Sequence, residues 1–129
     1  MSSLPPDTLN AIGVLTRREI EARLLIPLIE ALSAEFGRSE VLAVIQRTIF
    51  EIARQQGVQL AGQLPANDLH HFAGALENWK KGGAMEIQVL EQTGGRFAFD
   101  VHRCRYAEMY QALGAPELGC LLSCSRDFA

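Results

Sequence analysis

Apolar residues recur at helical spacing from position 20 onward. One set repeats every four residues, which predicts an amphipathic helix whose buried stripe is Ile20, Leu24, Leu28 and Leu32. The stripe is widened by Leu25, Ile29 and Phe36. Thr16 is a plausible N-cap for this helix, and Gly37 is a typical residue just past a helix end. Pro27 falls inside the pattern and predicts a kink there, or the end of the first part of the helix.

Two further helices are predicted before the pattern changes. The second begins with Ser39 as its cap and ends at Gly57, with a buried face formed by Val41, Leu42, Ile45, Ile49, Ile52 and Ala53. The third begins at Asn67 or Asp68, continues through Trp79 and stops at Gly82-Gly83. Three helices therefore precede the rest of the chain.

The spacing at which hydrophobic residues recur then falls from 3.6 residues to 2, which is typical of strands. Met85, Ile87 and Val89 alternate with polar residues, and after Gly94-Gly95 the same alternation returns at Phe97, Phe99 and Val101. Two such runs around a glycine turn predict a β-hairpin. Short helices are expected over 106–113, ended by Gly114, and again from Pro116.

These elements predict an α+β fold in which N-terminal helices pack on a small antiparallel sheet, followed by short C-terminal helices. Residues 1–15 are expected to form a flexible or extended arm, and residues 16–129 a single domain. Because a two-stranded sheet has exposed edges, a homodimer is plausible.

Composition narrows the class of protein. The chain has 129 residues, 48% of them hydrophobic and 21% charged, with a net charge of −3. These totals show no basic surface for nucleic acid and no apolar run long enough for a membrane span. Three cysteines and a start without secretory-signal features favour reduced thiols in the cytoplasm.

The first cluster of chemically active residues lies where the hairpin runs into a helix: His102, Cys104, Tyr106 and Glu108. If the strand reaches Cys104, then His102 and Cys104 share one face and could ligate zinc or form a base–nucleophile pair. The alternative is that Cys104 is a small buried residue and that His102 lies on the solvated face.

The second cluster is Cys120, Cys124 and Asp127. On one continuous helix these spacings would direct all three side chains the same way. Together with Cys104 they could form a thiolate–carboxylate site for a transition metal, although Leu121-Leu122 between them has the character of core.

Three stretches near the end of the chain resemble the L-2-amino-thiazoline-4-carboxylic acid hydrolase family. They are Arg103-Cys104-Arg105-Tyr106-Ala107-Glu108-Met109-Tyr110, then Leu113-Gly114 with Pro116-Glu117-Leu118-Gly119, and Ser123-Cys124-Ser125-Arg126-Asp127-Phe128-Ala129. Family members usually continue past the last stretch into a further strand pair that ends in Cys-Asp-Phe, which is not found in this sequence. The resemblance therefore leaves open whether this chain is active by itself.

The resemblance implies a hydrolase that opens a small cyclic amidine or amide, such as L-2-amino-thiazoline-4-carboxylate, to carbamoyl-cysteine. The positions that match the family motif are Cys104, Tyr106, Glu108, Cys124 and Asp127.

Chemical reasoning then suggests a role for each residue. Cys104, Cys124 and Asp127 could hold a divalent, zinc-like metal that activates water, or a cysteine could act as the nucleophile. Glu108 would be the acid/base, while Arg103, Arg105 and Tyr106 would bind the small-molecule substrate. The alternatives are a non-catalytic module that binds a small molecule or metal, and a truncated, inactive relative.

Overall fold

The computed structural model describes residue 5 and residues 7–129, and the predicted α+β class is confirmed. The main helices are α1 Val14–Phe36, α2 Arg38–Gln63, α3 Leu69–Ala75, α4 Glu77–Lys80, α5 Arg105–Ala112 and α6 Pro116–Leu122. Strands β1 Met85–Gln92 and β2 Phe97–Cys104 form one antiparallel sheet. Short 3-10 helices cover Leu9–Ile12, Lys81–Gly83 and Cys124–Phe128.

The chain divides into two compact units. Unit 1 contains Gln56–Arg105 and the described residues up to Arg17, whereas unit 2 contains Arg18–Gln55 and Tyr106–Ala129. Within the described part of the chain, no helix has the combination of length and apolar character that a membrane span requires.

The arm predicted over residues 1–15 lies partly outside the described residues. Inside the described range, the Asp7 carboxylate accepts two hydrogen bonds from the Arg17 guanidinium, at 2.6 and 2.9 Å. Asp7 also accepts from Gln56 Nε2 at 3.3 Å and from the Leu9 amide at 3.0 Å. These contacts fasten the start of the described chain to two helices of unit 1.

Helix α1 departs from its prediction at its start and over part of its predicted face. It begins at Val14 rather than after a Thr16 cap, and it does not end at Pro27, which lies within one helix that continues to Phe36. The predicted buried stripe is correct at Leu25 and Ile29 but wrong at Ile20, Leu24, Leu28 and Phe36, which are 62%, 68%, 46% and 67% exposed. The residues that face the core of unit 2 are Arg18, Ala22, Leu25, Ile26 and Ile29. Because α1 carries apolar residues on two faces, spacing alone could not select the buried one.

Helix α2 confirms its predicted face but not its end. Ile49 is buried, and Val41, Leu42 and Ile45 pack against the core of unit 2. The helix does not stop at Gly57 but continues to Gln63, because an isolated glycine weakens a helix without having to end it. The predicted cap of the third helix at Asp68 is correct, since its side chain accepts from the His71 amide at 2.9 Å.

The hairpin of unit 1 lies where the alternation predicted it. Register shifts fall between Glu86 and Ile87 and between Val89 and Glu91. The first shift falls opposite His102, so it interrupts the regular alternation that predicted His102 and Cys104 on one face. The His102 ring nitrogen Nε2 lies instead 3.0 Å from Gln88 Oε1 across the sheet.

The core of unit 2 joins helices that lie far apart in the sequence. Ala22 and Ile29 from α1 and Ile49 from α2 cluster with Tyr110, Leu118 and Leu122 from α5 and α6. Gly119 allows the closest approach, since a Cβ atom built there would lie 2.5 Å from the Tyr110 ring. Only a residue without a side chain can therefore pack against this tyrosine.

Candidate active site

The predicted site residues are distributed over both compact units. Cys104, Arg103 and Arg105 belong to unit 1, while Tyr106, Glu108, Cys124 and Asp127 belong to unit 2. Cys104 is half-buried at the end of β2, opposite Met85. Arg103 is exposed, with its guanidinium 3.9 Å from the Glu86 carboxylate on the neighbouring strand.

Arg105 and Glu108 are exposed, whereas Tyr106 is buried. The Arg105 guanidinium donates to the carbonyl oxygen of Gly82 at 3.1 Å, and its amide donates to Ala84. Arg105 therefore links the first residue of α5 to the glycines that precede the hairpin. Glu108 lies in the first turn of α5, where a carboxylate is favoured by the helix dipole.

Cys124 and Asp127 lie together on the 3-10 helix Cys124–Phe128. The continuous helix that would have aligned Cys120 with them does not form, because α6 ends at Leu122 and Ser123 leaves helical geometry. In a 3-10 helix, residues three apart project from the same side. Cys124 and Asp127 are both exposed and are therefore expected on the same side of this helix, whereas Cys120 lies on α6.

Desolvation by the surrounding protein raises the pKa of the Asp127 carboxyl above its usual range. A carboxyl with a raised pKa can both donate and accept a proton closer to neutral pH than an ordinary aspartate. The residue as a whole remains exposed, so the proton can exchange with solvent or with a bound molecule.

The described residues provide no group of three or more His, Cys, Asp or Glu side chains placed to hold one metal ion. The zinc-like metal expected from the sequence thus has no ligand set within that part of the chain. It stays a prediction, and no catalytic step below depends on it.

A buried group of polar residues in unit 2 was not predicted from the sequence. Arg18 of α1 is 1% exposed, and its guanidinium lies 3.1 Å from the Glu21 carboxylate. Arg126 is 9% exposed and reaches the same carboxylate at 3.3 Å, while its Nε donates to the carbonyl oxygen of Leu122 at 2.7 Å. Glu21 therefore bridges two buried arginines from opposite ends of the chain.

Tyr110 completes this group. Its side chain is 2% exposed, and among the described residues its hydroxyl has no hydrogen-bond partner. Burial raises the pKa of Tyr110 to about 12; Arg18 and Arg126 oppose that rise, whereas Glu21 and Cys124 add to it. The same tyrosine is thus within electrostatic reach of both buried arginines and of the exposed Cys124. We call Arg18, Glu21, Tyr110 and Arg126 the polar cluster.

One signal in the sequence could have pointed to the polar cluster. Arg18 lies four residues before Ala22 and eleven before Ile29, so it belongs to the stripe of α1 that is buried. A charged residue within an apolar stripe is rarely buried unless it is paired, and this makes it informative. The signal was hidden because the opposite stripe of α1 is equally apolar.

An open cavity of about 550 Å³ lies in unit 1. It is bounded by the end of α2, by α3 and α4, and by the hairpin, with mostly apolar walls that include Leu60, Leu64, Ile87 and Phe97. His71 lines it as well, and its ring nitrogen Nδ1 lies 2.6 Å from the Asp68 carboxylate. This cavity was not predicted from the sequence.

These features define a small, mostly helical α+β protein with an exposed Cys–Asp pair next to buried arginines. The family description L-2-amino-thiazoline-4-carboxylic acid hydrolase matches residues 17–129. The chain belongs to this family, which confirms the resemblance seen in the sequence. No curated protein and no solved structure matches the chain.

Proposed function

We propose that this protein hydrolyses a small cyclic amidine that carries a carboxylate, such as L-2-amino-thiazoline-4-carboxylate, to carbamoyl-cysteine. The observation that carries this proposal is the family match, which extends over residues 17–129 and includes both the polar cluster and the Cys–Asp pair. The pairing of an exposed thiol with a carboxyl of raised pKa suits such a reaction, because ring opening needs both a nucleophile and a proton donor.

In the proposed reaction the Cys124 sulfur attacks as the thiolate and bonds to the amidine carbon. The ring carbon–nitrogen bond breaks as the Asp127 carboxyl protonates the departing nitrogen. Water then adds to the same carbon, gives a proton to the Asp127 carboxylate and displaces the sulfur. One water molecule is consumed, and its oxygen becomes the carbonyl oxygen of the carbamoyl group. Glu108 is the alternative acid/base, since it too is an exposed carboxylate of unit 2.

The test is incubation of the purified chain with L-2-amino-thiazoline-4-carboxylate, with carbamoyl-cysteine measured by mass spectrometry. Cys124→Ser is expected to lower the rate at least a hundredfold, because the serine hydroxyl is a far weaker nucleophile than a thiolate. Cys120→Ser is the matched control, since Cys120 is also exposed in unit 2 but lies on α6 and not on the 3-10 helix that carries Cys124 and Asp127. It is expected to retain wild-type activity.

Two further measurements separate the mechanisms. If a metal held partly by Cys104 activates the water, a chelator will abolish turnover and Cys104→Ser will be as damaging as Cys124→Ser. If the thiol mechanism holds, turnover will persist with the chelator. Absence of product from a folded wild-type protein would contradict the proposal and leave a non-catalytic binding module or an inactive relative, with the cavity of unit 1 as a place for a small molecule.

A further inference from the structure

The open cavity of unit 1 is the starting point of a further inference. All of its lining residues lie between Leu60 and Phe97, so it is formed within unit 1 alone. Its volume of about 550 Å³ is within the range of sites that bind small molecules. Fifteen residues line it, fewer than the roughly 20–30 that each partner contributes to a stable protein interface. The cavity therefore suits a small molecule better than a second protein.

The walls of the cavity favour an apolar ligand. Leu60, Ile87, Val89 and Phe97 contribute apolar side chains, of which Leu60 is 37% exposed and Val89 is 47% exposed. Apolar side chains that are exposed in a concave site contribute to binding when a ligand removes them from water. A ligand with an apolar body would therefore be held by the walls themselves.

The charged residues of the cavity favour a neutral ligand. Glu77 and Lys80 both line it, and their carboxylate and ammonium groups lie 3.1 Å apart on α4. Because the two charges are opposite and close together, their effect on a bound molecule largely cancels. The Asp68 carboxylate adds a negative charge beside His71, which disfavours an anion at this wall.

His71 provides a hydrogen-bond acceptor in this cavity. The Asp68 carboxylate accepts from the His71 amide at 2.9 Å and lies 2.6 Å from the ring nitrogen Nδ1. These hydrogen bonds hold the pKa of Asp68 below its usual range, so the carboxylate is ionised and Nδ1 carries the proton. In the neutral ring Nε2 is then an acceptor, and it is the ring nitrogen left for a ligand.

We propose that this cavity binds a small, neutral, apolar ring compound with one N–H or O–H donor, whose hydrogen bond is accepted by Nε2 of His71. The site goes beyond the proposed hydrolysis, because it lies in unit 1 whereas Cys124 and Asp127 belong to unit 2. Its ligand class also differs, since the substrate of the proposed reaction carries a carboxylate. The cavity is expected to bind such a compound whether or not the chain is a hydrolase.

The test uses indole, which is neutral and apolar and has a single N–H donor. 1-Methylindole has the same ring system without the donor and is the comparison ligand. Titration calorimetry of the full chain at mildly alkaline pH is expected to show indole binding about fivefold tighter, as for one net hydrogen bond. His71→Phe keeps a planar ring without the acceptor, so it is expected to bind the two compounds equally. His70→Phe is the matched control and is expected to keep the preference for indole, because His70 also lines the cavity but is not the ring that Asp68 fixes.

A second pair of variants tests whether the compounds bind in the cavity. Leu60→Lys puts a charge on the cavity wall and is expected to weaken the binding of both compounds by about tenfold or more. Val58→Lys puts the same charge on α2 at a residue that is 70% exposed and does not line the cavity, so normal binding is expected. Both replaced side chains are solvent-exposed, so both variants are expected to fold, which circular dichroism checks.

Four results would overturn the proposal. They are a wild type that binds neither compound or binds both equally, a His71→Phe protein that still prefers indole, a His70→Phe protein that loses the preference, and a Leu60→Lys protein that binds both compounds normally.

Discussion

Single residues in this protein respond to pH in opposite directions. The hydrogen bonds from Arg17 are the main reason that the pKa of Asp7 lies below its usual range, whereas desolvation raises the pKa of Asp127. An acid with a lowered pKa contributes stability above its unfolded-state pKa and loses it as the pH falls. An acid with a raised pKa has the reverse effect, because the folded state then holds its proton more tightly than the unfolded state does.

Two asparagine variants test these opposite effects of Asp7 and Asp127 on stability. Asp7→Asn is expected to lower the free energy of unfolding by up to ~1 kcal/mol at neutral pH, with the loss disappearing below the usual aspartate pKa. Asp127→Asn is expected to be neutral or stabilising at neutral pH, because it removes a carboxylate that is costly to ionise. Urea unfolding at neutral and acid pH measures both differences. A stabilising Asp7→Asn or a destabilising Asp127→Asn at neutral pH would contradict the directions given for the two pKa shifts.

Only some residues of the candidate site could be predicted from the sequence. Cys124 and Asp127 were found because few residue types can act as nucleophiles or acids, and both stand in a motif of distinctive order. Arg18 and Tyr110 were not found, because an arginine and a tyrosine on amphipathic helices are usually taken as exposed or as packing residues. The pairing of buried Arg18 also involves Glu21, three residues along α1, which accepts a hydrogen bond from Arg126 at the other end of the chain.

Among the elements, α6 depends on a glycine for its place in unit 2. A Cβ atom at Gly119 would lie 2.5 to 2.8 Å from three carbon atoms of Tyr110. Gly119→Ala is therefore expected to destabilise the protein by about 1–3 kcal/mol, as is typical of overpacking.

Gly57→Ala is the matched control for this substitution. Gly57 also lies within a helix, but a Cβ atom there would meet nothing within 4 Å. Alanine at that position is expected to stabilise the protein by about 0.5–1 kcal/mol, through its higher helix propensity. Thermal denaturation compares the stability of Gly119→Ala with that of Gly57→Ala. Equal effects of the same sign would show that the contact with Tyr110 does not determine the cost of a side chain at Gly119.

Element type was easier to predict from the sequence than element ends or faces. The change of hydrophobic period after Gly82-Gly83 marked the hairpin, and Gly114 with Pro116 marked the two short helices. The end of α2 was wrong because Gly57 lies inside a helix long enough to tolerate it. The predicted face of α1 was correct at Leu25 and Ile29 but wrong at Ile20, Leu24 and Leu28, because tertiary packing, rather than periodicity, selected between two apolar stripes.

For the whole molecule, the stripe of Ile20, Leu24 and Leu28 is a surface suited to association. These three side chains lie one turn apart on α1 and are 62%, 68% and 46% exposed. Burying such side chains at an interface would contribute about 1.5–3 kcal/mol each if they became fully buried. The homodimer expected from the exposed sheet edges stays a prediction. The stripe on α1 is a different surface, and we expect association of two copies there.

Light scattering coupled to size-exclusion chromatography over a range of concentrations tests this expectation. The wild type is expected to elute as a dimer that dissociates on dilution, and Leu24→Lys as a monomer throughout. Gln46→Lys adds the same charge at an exposed position on α2 and is expected to leave the dimer intact. A wild-type protein that is monomeric at every concentration would exclude this interface.

The division into two units was not visible in the sequence, because each unit is assembled from separate stretches of chain. Unit 2 takes most of α1 and most of α2 from the first half of the chain and completes its core with Tyr110, Leu118 and Leu122. During synthesis, the core-facing side chains of α1 and α2 therefore remain uncovered until Tyr110, Leu118 and Leu122 have been made. We expect the nascent chain to expose that apolar surface on the ribosome, so that chaperone access and translation speed govern the yield of native protein.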